Sequence, residues 1–536
     1  MAENIPIEDV PEPVLYPIPD IHSYGTREAF VERMKGEIER ECGYAVKELK
    51  RMSFPGISAR FNPVDNPGSC LLDLDCESDS GIIPTAKEMT LSKDGFGWIQ
   101  GRVVSQPDPI NHLSKFLIES RSKDFEIPVG KVDDLTIRFR FNPVSKGRML
   151  DALDEFQREG FASFPDLTSA ILGRQVKVLP IEPLPGRIDG LNEKQEEAVA
   201  TMLSCSLSVI QGPPGCGKTL TLSKLANYLC QEGHGTTLVA GVSNFSISHF
   251  VQTHVGCGTK LVRILSRTRE KHDIYGPNST LCSMHHWIQD EKTAPGWVRE
   301  IFAKSPLMGR MGKEAAIIDD ADVVCSTIMT CRDSRLKGRT FDNVCVDEAG
   351  QLSYANVVIG HLCSKRLVLV GDPRQLRPII TNPGMVNSPM KVSMLDLFMS
   401  VNAPVTLLTT QYRLPTALAD FISDTFYSGR LVSNSNKVSP YAGSSLPYLC
   451  HPISILVDFG RCQASNSSQS FYNDSEAKAS IKIAAALVSA GVPVEKVTML
   501  CPYLAQRRLI IKQQTFARQS HKSMSNTASI DSFQGS

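Results

Sequence analysis

The sequence predicts an α/β protein with two parallel-sheet domains, the second incomplete. A β-barrel-like domain precedes them, and a helical insertion interrupts the first. Three observations carry this reading. From residue 191, the short apolar runs LSVIQG, TTLVAGVS, ADVVCST, NVCVDEA, RLVLVGD and VTLLTTQ have helical patterns between several of them, the mark of a buried parallel sheet with crossover helices. Upstream, GFGWIQGRVVSQ and LTIRFRFNPV are strand-like and broken by Gly, Pro, Asp and Asn. After residue 400 a second α/β series begins, with the helix EAKASIKIAAALVSAG and the strand VTMLCPY.

In chain order, residues 1–55 are a lead-in followed by a helix. The lead-in MAENIPIEDVPEPVLYPIPD is acidic and Pro-rich, with neither the basic n-region nor the apolar h-region of a signal peptide. TREAFVERMKGEIERECGYAVKEL has apolar residues at three- and four-residue spacings and reads as the helix. Residues 56–185 form the β-barrel-like domain with the connecting helices RMLDALDEFQREGF and FPDLTSAILG. VKVLPIEPLPGRIDG is a Pro/Gly linker. Residues 186–400 form the first parallel-sheet domain, with a strand-poor insertion at about 271–320, and residues 401–536 form the second.

Composition is that of a globular protein, 42% hydrophobic and 21% charged. Lys+Arg and Asp+Glu both number 57, so net charge neither favours nor excludes a nucleic-acid partner. Fifteen cysteines form no Cys-x-x-Cys pair, and many lie in apolar runs. They read as reduced, buried thiols, and Cys282-Ser-Met-His285-His286 alone hints at a metal, without the second ligand pair that zinc needs. No apolar run is long enough to span a membrane. A cytoplasmic location is expected, with the nucleus as alternative.

The chemistry begins at VIQGPPGCGKTLTLSKL. Gly212, Gly217, Lys218 and Thr219 fit Gly-x4-Gly-Lys-Ser/Thr between a strand and a helix. Such a loop turns backbone N–H groups inward around phosphates, and the helix N-terminus adds positive potential. Lys218 would reach the β- and γ-phosphates and Thr219 would ligate Mg2+. The pattern arises by chance in about one chain in fifty of this length at average residue frequencies, and the strand–helix context cuts that sharply. NVCVDEAGQ brings Asp347 and Glu348 to a strand's C-terminal end, where open α/β sheets bind ligands. Asp347 suits Mg2+ and Glu348 suits the orientation of an attacking water. In RLVLVGDPRQLRPII, Gln375 offers an amide able to sense a γ-phosphate.

The ordered set LNEKQEEAV, GPPGCGKT, LVAGVSNFSISHF, VDEAGQ, GDPRQLRP, QYRLP, VTMLCPYLAQR and SIDSFQGS resembles the superfamily 1 helicases, specifically their Upf-like branch. GFGWIQGRVV and RMLDALDEFQ resemble that branch's β-barrel insertion and connecting helices. The resemblance implies two RecA-like domains clamping ATP between them. It implies that Gln195 reads the adenine, that Gly212, Pro213, Pro214, Gly215, Cys216, Gly217, Lys218 and Thr219 hold the triphosphate, and that Thr219 and Asp347 hold Mg2+. Glu348 would be the catalytic base. Gln375 would couple the γ-phosphate to the nucleic-acid site, Tyr412 would stack near the adenine, and Arg413 would be an arginine finger. Ser243, Asn244, Thr327, Pro502, Tyr503 and Ser529 would contact a single strand of RNA, with DNA as the alternative, and such backbone contacts read no sequence. In SIDSFQGS, Asp531, Gln534 and Gly535 belong to the same motif.

The resulting expectation is an ATP-dependent RNA helicase or translocase moving 5′-to-3′ or remodelling RNPs, with RNA-decay or silencing proteins as partners. Because a further arginine-finger motif would follow SIDSFQGS, the chain is also expected to be a fragment. The rival from another class is a catalytically impaired RNA-binding scaffold. A GTPase is disfavoured, since SNKVS at 435–439 is not Asn-Lys-x-Asp. The basic clusters RILSRTREK and AQRRLIIKQQTFARQSHK suit either strand attraction or a solvated helix face.

Overall fold

The computed structural model describes residues 23–51, 53–63, 69–75, 88–93, 96–105, 115–120, 129–158, 165–271, 281–434, 456, 460–464, 470–517 and 526–530. Helix α1 (Arg27–Arg51) leads into six antiparallel strands: β1 (Ser53–Pro63), β2 (Ser69–Asp75), β3 (Glu88–Lys93), β4 (Phe96–Ser105), β5 (Lys115–Ser120) and β6 (Gly130–Arg140). They close into a barrel in the order β1-β2-β5-β4-β3-β6. Strand side chains alternate, so Ala59 and Phe61 of β1 and Cys70 and Leu72 of β2 are buried at period two.

Helices α2 (Val144–Arg158) and α3 (Pro165–Ile171) follow. The sequence groups them with the barrel, yet they pack elsewhere. Phe30, Met34 and Ile38 of α1, Leu153 and Phe156 of α2, and Leu167 and Ile171 of α3 join one core cluster with the parallel sheet. A closed barrel leaves no open apolar face, whereas a parallel sheet needs helices on both faces.

That sheet is built from α4 (Glu193–Ser204), β7 (Leu207–Gln211), α5 (Lys218–Gln231), β8 (Thr237–Gly241), α6 (Asn244–His254), β9 (Leu261–Arg263), α7 (Arg267–Lys271), α8 (Met284–Gln289), α9 (Gly296–Lys304), α10 (Arg310–Asp320), β10 (Val323–Thr327), β11 (Phe341–Asp347), α11 (Val357–Leu362), β12 (Ser364–Gly371), α12 (Met394–Ser400) and β13 (Val405–Leu407). The strands are parallel in the order β13-β7-β12-β11-β8-β10-β9. Successive strand residues feed opposite cores. Val209, Leu238, Val324, Val344 and Leu369 face the layer with α1–α3. Ile210, Val239, Cys325, Cys345 and Val368 face the layer with α4–α6. Burial on both faces is why these strands read as unbroken apolar runs. The insertion is helical, as expected, in α8–α10. Strand β13 lies past residue 401, but it pairs with β7 and extends the first sheet, with Val209 N donating to Pro404 O at 2.8 Å.

Beyond it come β14 (Thr410–Gln411), α13 (Thr416–Tyr427), β15 (Val432–Ser433), β16 (Gln463–Ala464), β17 (Phe471–Tyr472), α14 (Asp474–Ser489), β18 (Thr498–Cys501), α15 (Leu504–Ala517) and β19 (Asn526–Ser529). β18 and β19 are parallel, and Met499, Cys501 and Ile510 share a small core with α14 residues Ala477 and Ala484. Asp531, Gln534 and Gly535, and SNKVS at 435–439, lie outside the described residues.

Candidate nucleotide-binding site

The C-terminal edge of the first sheet carries every candidate residue of the first domain except Gln195. The phosphate loop leaves β7 and is tied to β12 by Gly212 N donating to Gly371 O at 2.8 Å. Gly215 and Gly217 have φ of +76° and +77°, which an L side chain rarely adopts. A Cβ on Gly212 would lie 2.1 Å from Lys218 Cγ, and one on Gly215 would lie 2.7 Å from Arg413 Cβ. The loop thus curls around Lys218, whose ammonium donates to Gly212 O at 2.8 Å. Pro213 O accepts from Cys216 N at 3.3 Å, and Pro214 is half-buried at the turn. Cys216 points into the core, where burial pushes its thiol up to about 12. The Thr219 hydroxyl lies 3.3 Å from His249 Nδ1 on α6.

Asp347 ends β11 and is buried. Desolvation first, then the charge of Glu348, raise its carboxyl to about 7 against the opposing pull of Lys218. Glu348 sits at φ +53°, a conformation costly for a non-glycine residue, and its N–H donates to Asp347 Oδ1 at 3.0 Å. These features fit a Mg2+ nucleotide. The glycine cradle admits phosphates, and a buried carboxylate that a second negative charge disfavours would be relieved by a divalent cation.

Gln375 Nε2 donates to Asp372 Oδ2 at 2.8 Å. Asp372 is buried and central. It also accepts from Arg374 N at 3.1 Å and from the Tyr427 hydroxyl of α13. Burial, then Asp372, push the Tyr427 phenol upward. The loop of Gln411, Tyr412 and Arg413 closes over the phosphate loop. Buried Gln411 accepts from Arg413 N at 3.0 Å and Leu414 N at 2.8 Å and shapes the turn. Tyr412 N donates to Gly215 O at 2.9 Å, and Arg413 is exposed with its Cβ against Gly215. Gln195 is buried in the capping box that starts α4, and its Nε2 donates to Cys216 O at 3.2 Å. Neither Asp372, Gln411 nor Asn192, which completes that capping box, is a candidate from sequence. The Asp372–Tyr427 and Asn192–Tyr412 bonds are contacts that only the fold creates.

A second row continues along the same edge. Gly241, the last residue of β8, is in register with both Asp347 of β11 and Thr327 of β10. Ser243 caps α6 by accepting from Ser246 N at 3.2 Å, and Asn244 O is held by buried Arg263 at 3.0 Å. Thr327 pairs with Thr330 through their hydroxyls at 2.8 Å. Phe245, next to Asn244, is 50% exposed. In the second domain Pro502 and Tyr503 are exposed after β18, with the Tyr503 ring 5.4 Å from Phe471, and Ser529 pairs with Cys501 beside them.

Two arginines of the first basic cluster are spent internally. Arg263 is buried, and Arg267 pairs with Glu314 and Glu270. In the second, Arg507 donates to Thr527 O at 3.2 Å, and burial followed by Arg507 lowers Arg508 to about 10. Among the described residues, which include Cys282, His285 and His286, no group of three His, Cys, Asp or Glu suited to a metal occurs. No helix among them is long and apolar enough to cross a membrane.

Comparison with known proteins agrees with this geometry. Two family models, both described as AAA domain, match residues 190–296 with 298–383 and residues 390–536. "ATP-dependent helicase upf1" of Schizosaccharomyces pombe is 27% identical over 575 residues, covering 99% of this chain and 61% of that protein. "ATP-dependent helicase NAM7" of Saccharomyces cerevisiae is 29% identical over 488 residues, covering 86% and 50%. "Regulator of nonsense transcripts 1" of Dictyostelium discoideum is 30% identical over 407 residues, covering 72% and 30%. The chain therefore spans about three-fifths or less of the length of these relatives. Among solved structures, arterivirus nonstructural protein 10 (helicase) aligns with a TM-score of 0.33 at 11% identity, covering 72% of this chain and 59% of that one. The phosphate loop, the Asp347–Glu348 strand end and the Gln411–Arg413 loop all fall within the matched residues, and with these relatives they place the chain in the Upf-like branch of the superfamily 1 helicases.

Proposed function

We propose that this chain is the motor of an ATP-dependent helicase or translocase acting on single-stranded RNA. The observation that carries the reading is the continuity of one sheet edge. Lys218, Asp347 and Glu348 stand on it beside Ser243 and Thr327, so a nucleotide and a strand would be read by neighbouring strand ends. Lys218 would exchange its bond to Gly212 O for phosphate oxygens. Thr219 and Asp347 would hold Mg2+, which when bound neutralises phosphate charge. Glu348 would orient the attacking water, and Arg413 would reach the developing transition-state charge. Gln375, held by Asp372 beside Tyr427 of α13, would carry the state of the γ-phosphate into the second domain. Exposed Phe245 and Tyr503 suit base stacking, which every sequence tolerates.

RNPs and RNA-decay or silencing proteins are the partners in this reading, the location is cytoplasmic or nuclear, and movement is 5′-to-3′. The deciding measurement is ATP turnover with matched RNA and DNA strands. RNA-stimulated turnover that Lys218→Ala lowers at least ~100-fold, with an unchanged melting curve, supports the motor. ATP-independent RNA binding without turnover would instead favour the scaffold, and equal stimulation by DNA would remove the RNA preference.

A further inference from the structure

The structure assigns Asn192 a positioning role: through its side-chain amide it fixes the Tyr412 ring as a preformed wall for the nucleotide base. The inference rests on the ATP-site reading above. Asn192 Oδ1 accepts from Gln195 N at 3.0 Å and caps α4, while Asn192 N donates to Gln195 Oε1 at 3.0 Å. The first of these bonds decides which way the amide faces. Turned over, its Nδ2 would meet the Gln195 N–H, donor against donor. The remaining group, Nδ2, therefore points away from the helix, and it donates to the Tyr412 hydroxyl at 2.7 Å.

Tyr412 is thereby held at both ends. Its N–H is bonded to Gly215 O at 2.9 Å, and its hydroxyl to Asn192, 220 residues earlier in the chain. Between these anchors the side chain is 38% exposed. The opposite partner of the capping box, Gln195, is joined to the same loop through Cys216 O at 3.2 Å. Asn192 thus ties helix α4 to the Tyr412 loop, while Gln195 ties the same helix to the phosphate loop. A ring already fixed loses no rotational freedom when a base arrives, which raises affinity without adding a contact. The effect belongs to the nucleoside and not to the phosphates.

The experiment is equilibrium binding of fluorescent ADP and ATP analogues to the whole chain, with inorganic tripolyphosphate as a competing probe. Asn192→Ser keeps a capping oxygen but is too short to reach the phenol, and Tyr412→Phe keeps the ring but removes the hydroxyl. Each is expected to weaken both nucleotides by ~3–10-fold, the size of one hydrogen bond of net strength. Tripolyphosphate affinity should stay as it was. The double variant should be no weaker than either single one, because both remove the same bond. Asn192→Asp retains the cap and can accept the phenolic O–H, so it should recover most of the affinity. In turnover, the loss should fall on KM more than on kcat. Unchanged nucleotide affinity in both single variants, additive losses in the double variant, or an equal loss of tripolyphosphate would overturn the inference while wild-type binding stands. A wild-type chain that binds no ATP analogue would remove the ATP-site reading and this inference with it.

Discussion

Glu348 occupies a left-handed backbone position that favours glycine, and that strain aims its carboxylate beside a buried Asp347. Glu348→Gln keeps size and backbone but cannot polarise water as a base. Nucleotide affinity should stay within about threefold while turnover falls ~100-fold or more, typical of removing general-base catalysis. A loss of affinity parallel to the loss of rate would refute the base assignment. His361 is expected to contribute to acid stability. His361 of α11 is 1% exposed, with its ring 5.6 Å from Phe156 of α2. Burial, then Arg27, hold its imidazole down to about 3. Unfolded, it titrates near 6.5, so below that pH the unfolded chain takes up a proton that the folded chain refuses. The stability it leaves intact above 6.5 is lost as pH falls toward 3, by up to about 1.4 kcal/mol per pH unit. Urea unfolding of wild type and His361→Leu at pH 7 and pH 5 isolates this, because Asp347, with a raised pKa and the opposite sign, is common to both. The wild type should lose up to about 2 kcal/mol more than the variant between the two pH values; parallel losses would mean that His361 is not the responsible group.

Helix α2 is the element whose role departs furthest from its sequence reading. The sequence reads it as a helix connecting to the barrel domain; its charged face grips the turn Ile328–Arg332 that follows Thr327. Arg332, buried, is held by Glu155 at 2.5 Å and Asp151 at 2.6 Å. Arg148 donates to Met329 O at 2.9 Å and pairs with Asp333 at 3.2 Å. Burial raises the Asp151 carboxyl, but Lys337 and Arg332 outweigh it and leave its pKa lowered. Arg332→Ala would strand Glu155 beside a void. The cost should be about 1–3 kcal/mol, below the ~3–5 of a fully buried pair, because Asp151 is 40% exposed and keeps Lys337. If α2 sets the position of Thr327, RNA affinity should fall as well while nucleotide affinity holds. A stability loss without any change in RNA affinity would make α2 a brace only. None of this was legible beforehand, since ion pairs between residues some 180 positions apart leave no periodicity. The sheet strands were legible, because burial on both faces forces unbroken apolar runs. β13, three residues long, reads among the runs of the first sheet although it lies past the boundary drawn at 401; its pairing is set by the free edge of β7, which local pattern does not encode.

At the scale of the whole molecule, the phosphate loop and the Asp347 strand end could be read because backbone and charge chemistry restrict them to few residue types. The hubs Asn192, Asp372 and Gln411 could not, since ordinary polar residues become hubs only when folding brings distant loops together. The same logic bears on the reading of charge. With 57 basic and 57 acidic residues the net charge neither favours nor excludes RNA, and in the basic cluster beside the row of candidate strand contacts Arg263 and Arg267 are taken up from within. Arg263 serves Asn244 O, Arg267 and Arg310 serve Glu314 and Glu270, and Arg335 serves Asp333. The row itself, Ser243, Asn244, Phe245, Thr327 and Tyr503, is uncharged. Binding should therefore lean on hydrogen bonds and stacking more than on counterion release. For single strands the logarithm of affinity falls with the logarithm of salt at about −0.7 per phosphate neutralised. Four or fewer neutralised phosphates would give a slope no steeper than about −3. Fluorescence anisotropy of a labelled RNA strand across a salt series, without nucleotide, measures it. A slope steeper than about −5 would mean that seven or more phosphates are paired with cations, and that the strand runs over a basic surface other than this row.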